Sequence, residues 1–263
     1  MMAGVLLGLA VGAVLGLTGA GGGIFAVPAL VFGLEMEIRQ AAPLALLAVG
    51  AAAGLGALQG LRQGVVRYRA AVMLALAGAL TAPLGVMLAH RLPAAWLSVL
   101  FAAIMLVVAC RMYRSSRAVA SQPGETAPRA CRISAQTGRF VWTPRTAATL
   151  GGIGLVSGLF TGMLGVGGGF IIVPALAHFS ELRMQSIVAT SLMVIALLSA
   201  VTVSIAWGQG MAMGAPAWAF LVAAVAGMGA GRLVSNRIPA AALQQLFALA
   251  CVAVAAMMVW RSF

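Results

Sequence analysis

One glycine cluster is written twice in this chain. "GAGGGIFAVPAL" occupies Gly19 to Leu30 and "GVGGGFIIVPAL" occupies Gly165 to Leu176, and eight of the twelve letters agree. Each copy lies inside a long apolar stretch, where a glycine weakens a helix by roughly 1 kcal/mol relative to alanine. The apolar runs approach the length of about 20 helical residues needed to cross a hydrocarbon layer. Of the 263 residues, 63% are hydrophobic and only 8% are charged, too little polar sequence to cover a soluble core of this size. These features predict an all-α polytopic membrane protein whose helices are interrupted at the clusters. The start, "MMAGVLLGLAVGAVLGL", has no basic region and runs directly into the first cluster, so it is expected to be a mature segment and not a removed signal peptide.

The duplication extends beyond the clusters. At an offset of 146, Gly12 and Gly16 meet Gly158 and Gly162, and Glu35 meets Glu181. Gln63–Gly64 meets Gln209–Gly210, Gly85 meets Gly231, and "RLPAAWL" from Arg91 meets "RIPAAAL" from Arg237. Two halves are therefore expected, 1–112 and 146–263, joined by an arginine-rich, cytoplasmic linker over 113–145. Each half contains one interrupted apolar segment (3–33, 147–179) and three ordinary ones (41–58, 70–89, 95–112; 187–206, 215–231, 240–260). Duplicated halves with broken helices are a recurrent transporter plan, with the site at the repeat interface.

Charge distribution bears on topology. All sixteen basic residues are arginine, and seven fall between Arg111 and Arg145. If each broken segment dips in and returns, a half has three net crossings and the repeats are inverted. Thirteen arginines then lie inside, and Arg39, Arg91 and Arg261 lie outside. If each broken segment crosses fully, the repeats are parallel, and eleven lie inside against five outside. The positive-inside rule favours inverted repeats. The piece "IFAVPALVF" agrees: at about 9 residues it spans about 14 Å, near half the hydrocarbon thickness. Basic charge beside membrane spans also accounts for the net charge of +12 without nucleic acid.

A glycine cluster followed by a short helix exposes main-chain N–H groups at the positive end of a helix dipole, which suits an anion. The expected substrate-binding groups are thus Gly19, Gly21, Gly22 and Gly23 with Gly165, Gly167, Gly168 and Gly169. The alternative use of glycine is close helix packing, expected for Gly50, Gly54 and Gly78. Thr190 and Ser191 open an apolar span, where their hydroxyls either donate to an anion or bond back to the preceding turn. Thr18, Ser157 and Thr161 adjoin the clusters and are weaker candidates. Glu35 and Glu181 read as solvated loop ends more readily than as proton relays. Three scattered cysteines and two isolated histidines offer no metal set, so no metal or cofactor is expected. The spans hold no acid, base or metal constellation of the kind an enzyme needs.

The paired clusters, together with "ATSLMV" at Ala189–Val194, resemble the TauE/SafE family of sulfite exporters and anion permeases over nearly the whole chain outside the linker. The resemblance implies a bacterial inner-membrane carrier of sulfur-containing anions such as sulfite, thiosulfate or sulfonates, with the lipid bilayer and the anion as its partners; the alternatives are a carrier of another small anion such as a carboxylate, or a non-transporting membrane assembly subunit. A homo-oligomer is compatible with the sequence. One departure stands out: Thr190–Ser191 aligns with Leu44–Ala45, so the hydroxyl pair is present on one side only. A single cysteine introduced at 34–40 is expected to label from outside under either topology. One introduced at 183 labels only from the cytoplasm if the repeats are inverted, and periplasmic labelling there would restore the parallel arrangement.

Overall fold

The computed structural model describes residues 2–18, 22–118, 131, 140, 142–208, 214–235, 248–249 and 251–257. Its elements are α1 (Met2–Thr18), a 3-10 turn (Gly22–Phe25), α2 (Ala26–Gly33), α3 (Ile38–Arg62), α4 (Tyr68–Arg91), α5 (Ala94–Ala118), α6 (Pro144–Leu164), α7 (Gly169–Phe179), α8 (Met184–Gly208) and α9 (Ala215–Ser235). Among the described residues five helices are long and apolar enough to cross a membrane, those containing Gln40–Arg62, Tyr68–Arg91, Pro144–Leu164, Met184–Gly208 and Ala215–Leu233. The expected last span, 240–260, lies largely outside the described residues, although 251–257 is helical. Helix α5 continues six residues beyond the expected end at 112, because the arginines and small residues that follow are compatible with helix.

Both long apolar segments are broken at their glycines, and the chain reverses there. Gly33, at the end of α2, lies against Leu7 near the start of α1, and Gly4 faces Leu34. The first segment is therefore a hairpin whose two ends share one end of the bundle. In the second, Gly168 returns to lie beside Ser157 and Thr161 on α6. Helix α6 begins with Thr143 as N-cap, its Oγ1 accepting the Thr146 amide at 3.1 Å, with Pro144 at the first helical position. It ends at Gly165, which adopts the left-handed conformation at φ 72°.

Each half packs most closely on the other. Helix α1 runs parallel to α9, with Gly8, Gly12 and Gly16 against the carbonyls of Phe220, Ala224 and Met228. Adding 146 to the α1 residues and subtracting it from the α9 residues reproduces the second interface: Gly154, Gly158 and Gly162 on α6 against the carbonyls of Leu74, Gly78 and Ala82 on α4. Glycine at four-residue spacing permits backbones to approach until they touch, the packing mode available where no hydrophobic force draws helices together. Between these pairs α3 and α8 cross in opposite directions. Gly50 meets Ser199, Gly56 meets Leu192 and Gly60 meets Ala189, so residue numbers rise on one helix as they fall on the other. The linker touches this frame at Cys131, whose amide donates to Phe179 O at 2.9 Å and whose thiol is pushed above its ordinary pKa by burial.

The expectation of close packing fits Gly50 and Gly78, the latter pressed on Leu198 and the Gly154 carbonyl, but fails for Gly54, where a Cβ would meet nothing within 4 Å. Gly54→Ala is therefore expected to raise thermal stability in detergent, by up to about 1 kcal/mol, since helix propensity changes without a clash. Gly158→Ala, forced into the Gly78 backbone, is expected to lower it by about 1–3 kcal/mol. A Gly158→Ala melting temperature equal to the parent's would refute the backbone contact.

Candidate functional site

The tips of the two hairpins meet in the interior. A Cβ placed on Gly23 would lie 3.0 Å from both Val166 O and the Val49 side chain, and one on Gly167 would lie 2.9 Å from Ile195. Val49 on α3 and Ile195 on α8 are themselves related by the 146-residue offset. The two clusters thus face each other across the α3–α8 crossing. Gly19 and Gly21 lie outside the described residues. Gly22 presses on the Leu15 backbone and Gly165 on Ala42, so neither position has room for a side chain.

The local chemistry explains how a broken backbone is held there. Gly165, Gly167 and Gly168 all have positive φ (72°, 77° and 66°), a conformation a side chain would strain. Thr161 Oγ1 donates to Ser157 O at 2.7 Å, and Ser157 Oγ donates to Gly168 O at 3.3 Å. In the first hairpin Thr18 Oγ1 donates to Val14 O at 2.8 Å while accepting from the Gly22 amide at 3.0 Å. These hydroxyls brace the turns. Gly168, the N-cap of α7, has no side chain to cap that helix; its carbonyl accepts the Ile171 and Ile172 amides at 3.0 and 3.1 Å, and the Gly169 and Phe170 amides come before the first of these bonds. Gly169 through Ile172 open α7, and Gly169, Phe170 and Ile172 are buried.

A cavity of about 730 Å³ leads toward this point from one end of the bundle. Its rim is formed by Leu34, Gln40, His90 and Pro216, and its inner wall by Gly162, Met163 and Thr202. Gly162 and Met163 directly precede the tip of the second hairpin, so the cavity stops beside the glycine cluster. The counterpart positions at the other end are shut: Gly60 packs on Ala189 and Val66, and Gly56 on Leu192 and Met228.

The two hydroxyls expected from sequence sit on the shut side. Thr190 Oγ1 accepts the Arg67 amide at 3.0 Å, joining α8 to the start of α4, and Ser191 Oγ donates back to Val188 O at 2.8 Å. Leu44, the counterpart of Thr190, lines the open cavity. Glu35 and Glu181 are exposed. Among the described residues no group of three or more His, Cys, Asp or Glu could hold a metal ion.

Sequence reasoning overlooked Ser199. Its Oγ is buried and, among the described residues, makes no hydrogen bond. Helical serines and threonines ordinarily bond to the preceding turn, as Thr161, Thr202 and Ser204 do here. Ser199 stands one turn from Ile195, which meets Gly167, and just short of Thr202 on the cavity wall. The available signal was its asymmetry, since its counterpart at offset 146 is Ala53.

The family model for the sulfite exporter TauE/SafE matches residues 4–258. The chain belongs to that family. It is also 30% identical over 258 residues to a "Probable membrane transporter protein" of Xylella fastidiosa (strain 9a5c), covering 96% of this chain and 92% of the relative. A second protein of the same description, from strain Temecula1 / ATCC 700964, is 30% identical over 256 residues with the same coverage. No solved structure matches the chain. Membership together with the apolar helices makes this a multi-pass membrane transporter of the TauE/SafE family.

The packed tip of the second hairpin yields a direct check. Gly168→Ala places a methyl group against Ser157 and Thr161 at positive φ, and transport is expected to fall at least tenfold in proteoliposomes. Gly64→Ala also sits at positive φ (68°) but in open space, and it is expected to keep transport near the parent rate. Equal rates in all three proteins would separate the second cluster from function.

Proposed function

We propose that the protein is a secondary carrier of small sulfur-containing anions (sulfite, thiosulfate or sulfonates) across the bacterial inner membrane, working by alternating access. The anion sits where the two glycine clusters face each other, and main-chain amides supply its donors. The observation that carries this reading is the contact of Gly23 with Val166 at the inner end of an open cavity. Irregular backbone at this depth is tolerated where it is buried in protein or lines a watery cavity, and here Val166, Gly167 and Gly168 are buried just beyond the end of the cavity. The cavity falls within the usual range for a ligand pocket, about 300–1,000 Å³.

We further infer that the two halves cross the bilayer in opposite senses. The hairpin form of the first broken segment and the opposed directions of α3 and α8 support this. So does charge: Arg62, Arg67, Arg145 and Arg183 share one end, which the positive-inside rule assigns to the cytoplasm. The cavity then opens to the periplasm, and the Thr190–Arg67 bond belongs to the closed cytoplasmic side. Exchange of the two hairpin environments, each half adopting the other's conformation, would close one vestibule and open its counterpart. The interior chemistry suits passage of an anion and not its conversion.

Flux is the deciding measurement. Purified protein in liposomes is expected to move labelled sulfite, thiosulfate or a small sulfonate faster than acetate or lactate. Preference for the carboxylates would reject the substrate class, and absence of all flux would reject the carrier. Ser199→Ala removes a hydroxyl that has no partner among the described residues, so thermal stability is expected to hold or rise. The same variant is expected to raise the half-saturating anion concentration several-fold if Ser199 donates to the bound anion.

A further inference from the structure

Arg232 holds a position that its symmetry counterpart does not require to be charged. It belongs to the last turn of α9, is half-buried, and points inward: its Nη1 donates to Gly56 O at 3.0 Å. Gly56 lies well inside α3, whose end is at Arg62. On its other side Arg232 is bordered by α1, where a Cβ on Gly16 would lie 2.9 Å from the Arg232 amide nitrogen. Subtracting 146 converts Arg232 to Val86, which lines the open cavity. The same operation converts Thr190 to Leu44 and Ser180 to Leu34, both also in the lining of that cavity. Arg232 lies in the last turn of its span, and Val86 occupies the equivalent site without a charge.

Resting on the carrier reading above, we propose that Arg232 is an anion-binding residue of the cytoplasm-facing vestibule, giving the protein a higher affinity for its anion on that face than on the periplasmic face. When the cytoplasmic side opens, Gly56 moves away from α9 and the guanidinium exchanges a carbonyl for the anion. Its five N–H donors form a planar fork that matches an oxyanion. The periplasmic vestibule offers Val86, Leu44 and Leu34 at the equivalent positions. The asymmetry concerns half-saturation, while gradients set the direction of net flux.

The test uses right-side-out and everted membrane vesicles containing the full chain, with labelled sulfite and thiosulfate as probes. Half-saturation is expected to be roughly tenfold lower from the cytoplasmic face, the effect of about one charge-assisted hydrogen bond. Arg232→Val should raise it to the level of the other face, and adding Val86→Arg should lower it from the periplasmic face. Arg232→Gln, which keeps a donor toward Gly56, serves where the valine variant fails to insert and should also weaken the cytoplasmic face alone. Equal half-saturation from both faces of the unaltered protein would overturn the proposal. So would variants that change the maximal rate from both faces and leave both half-saturations in place, since Arg232 would then only clamp α9 to α3. Failure of the unaltered protein to move either anion would overturn the carrier reading and this inference together.

Discussion

Glycine-to-carbonyl contact between helices is the constraint on which the rest of this structure depends. A broken helix leaves N–H and C=O groups without intrahelical partners, and in hydrocarbon each costs several kcal/mol. The break can persist only if other helices enclose it closely. The glycine rows on α1 and α6 do this by bringing α9 and α4 to backbone contact over several turns, with Gly12 at Ala224 and Gly158 at Gly78. The hairpins are thereby fixed against a wall at their outer faces. Their tips are left to meet at Val49 and Ile195, where glycine permits the close approach and, in the second hairpin, the left-handed backbone.

The two halves are alike in sequence and in contact pattern but differ in state. One end carries a cavity lined by Leu44 and Val86, and the equivalent residues at the other end, Thr190 and Arg232, are engaged with Arg67 and Gly56. On the proposed alternating-access reading, a duplicated chain that rests in one asymmetric arrangement holds the template for the opposite arrangement within its own sequence. The substitutions that break the repeat at these positions therefore distinguish the two faces chemically while the small-residue packing that relates them is retained.

Much of the architecture was legible because its signals are strong and local. Apolar length predicts spans, glycine clusters predict breaks, and a constant offset predicts paired halves. The role of Thr190 was not legible, because its hydroxyl meets the amide of Arg67, which is 123 positions away and belongs to the other half. Ser199 escaped notice because an isolated serine in an apolar run ordinarily satisfies itself on the preceding turn. Gly54 misled in the opposite direction: its spacing suggests an interface, but no neighbour comes within 4 Å of where its Cβ would be. The glycine positions are read directly from the repeat, while the left-handed backbone at Gly165, Gly167 and Gly168 is visible only in the folded chain.

The reciprocal packing also bears on biogenesis. Helix α1 is synthesised well before its extensive partner α9, which begins only at Ala215. Until then the glycine row at Gly8, Gly12 and Gly16 has no α9 surface, and of its final neighbours the first hairpin has α3, whose Val49 lies against Gly23. Helix α6, by contrast, emerges when α4 is already in place. The glycine row of the second hairpin therefore finds its partner helix as soon as it is made, whereas that of the first must wait for α9, and a premature stop before Ala215 leaves it without one.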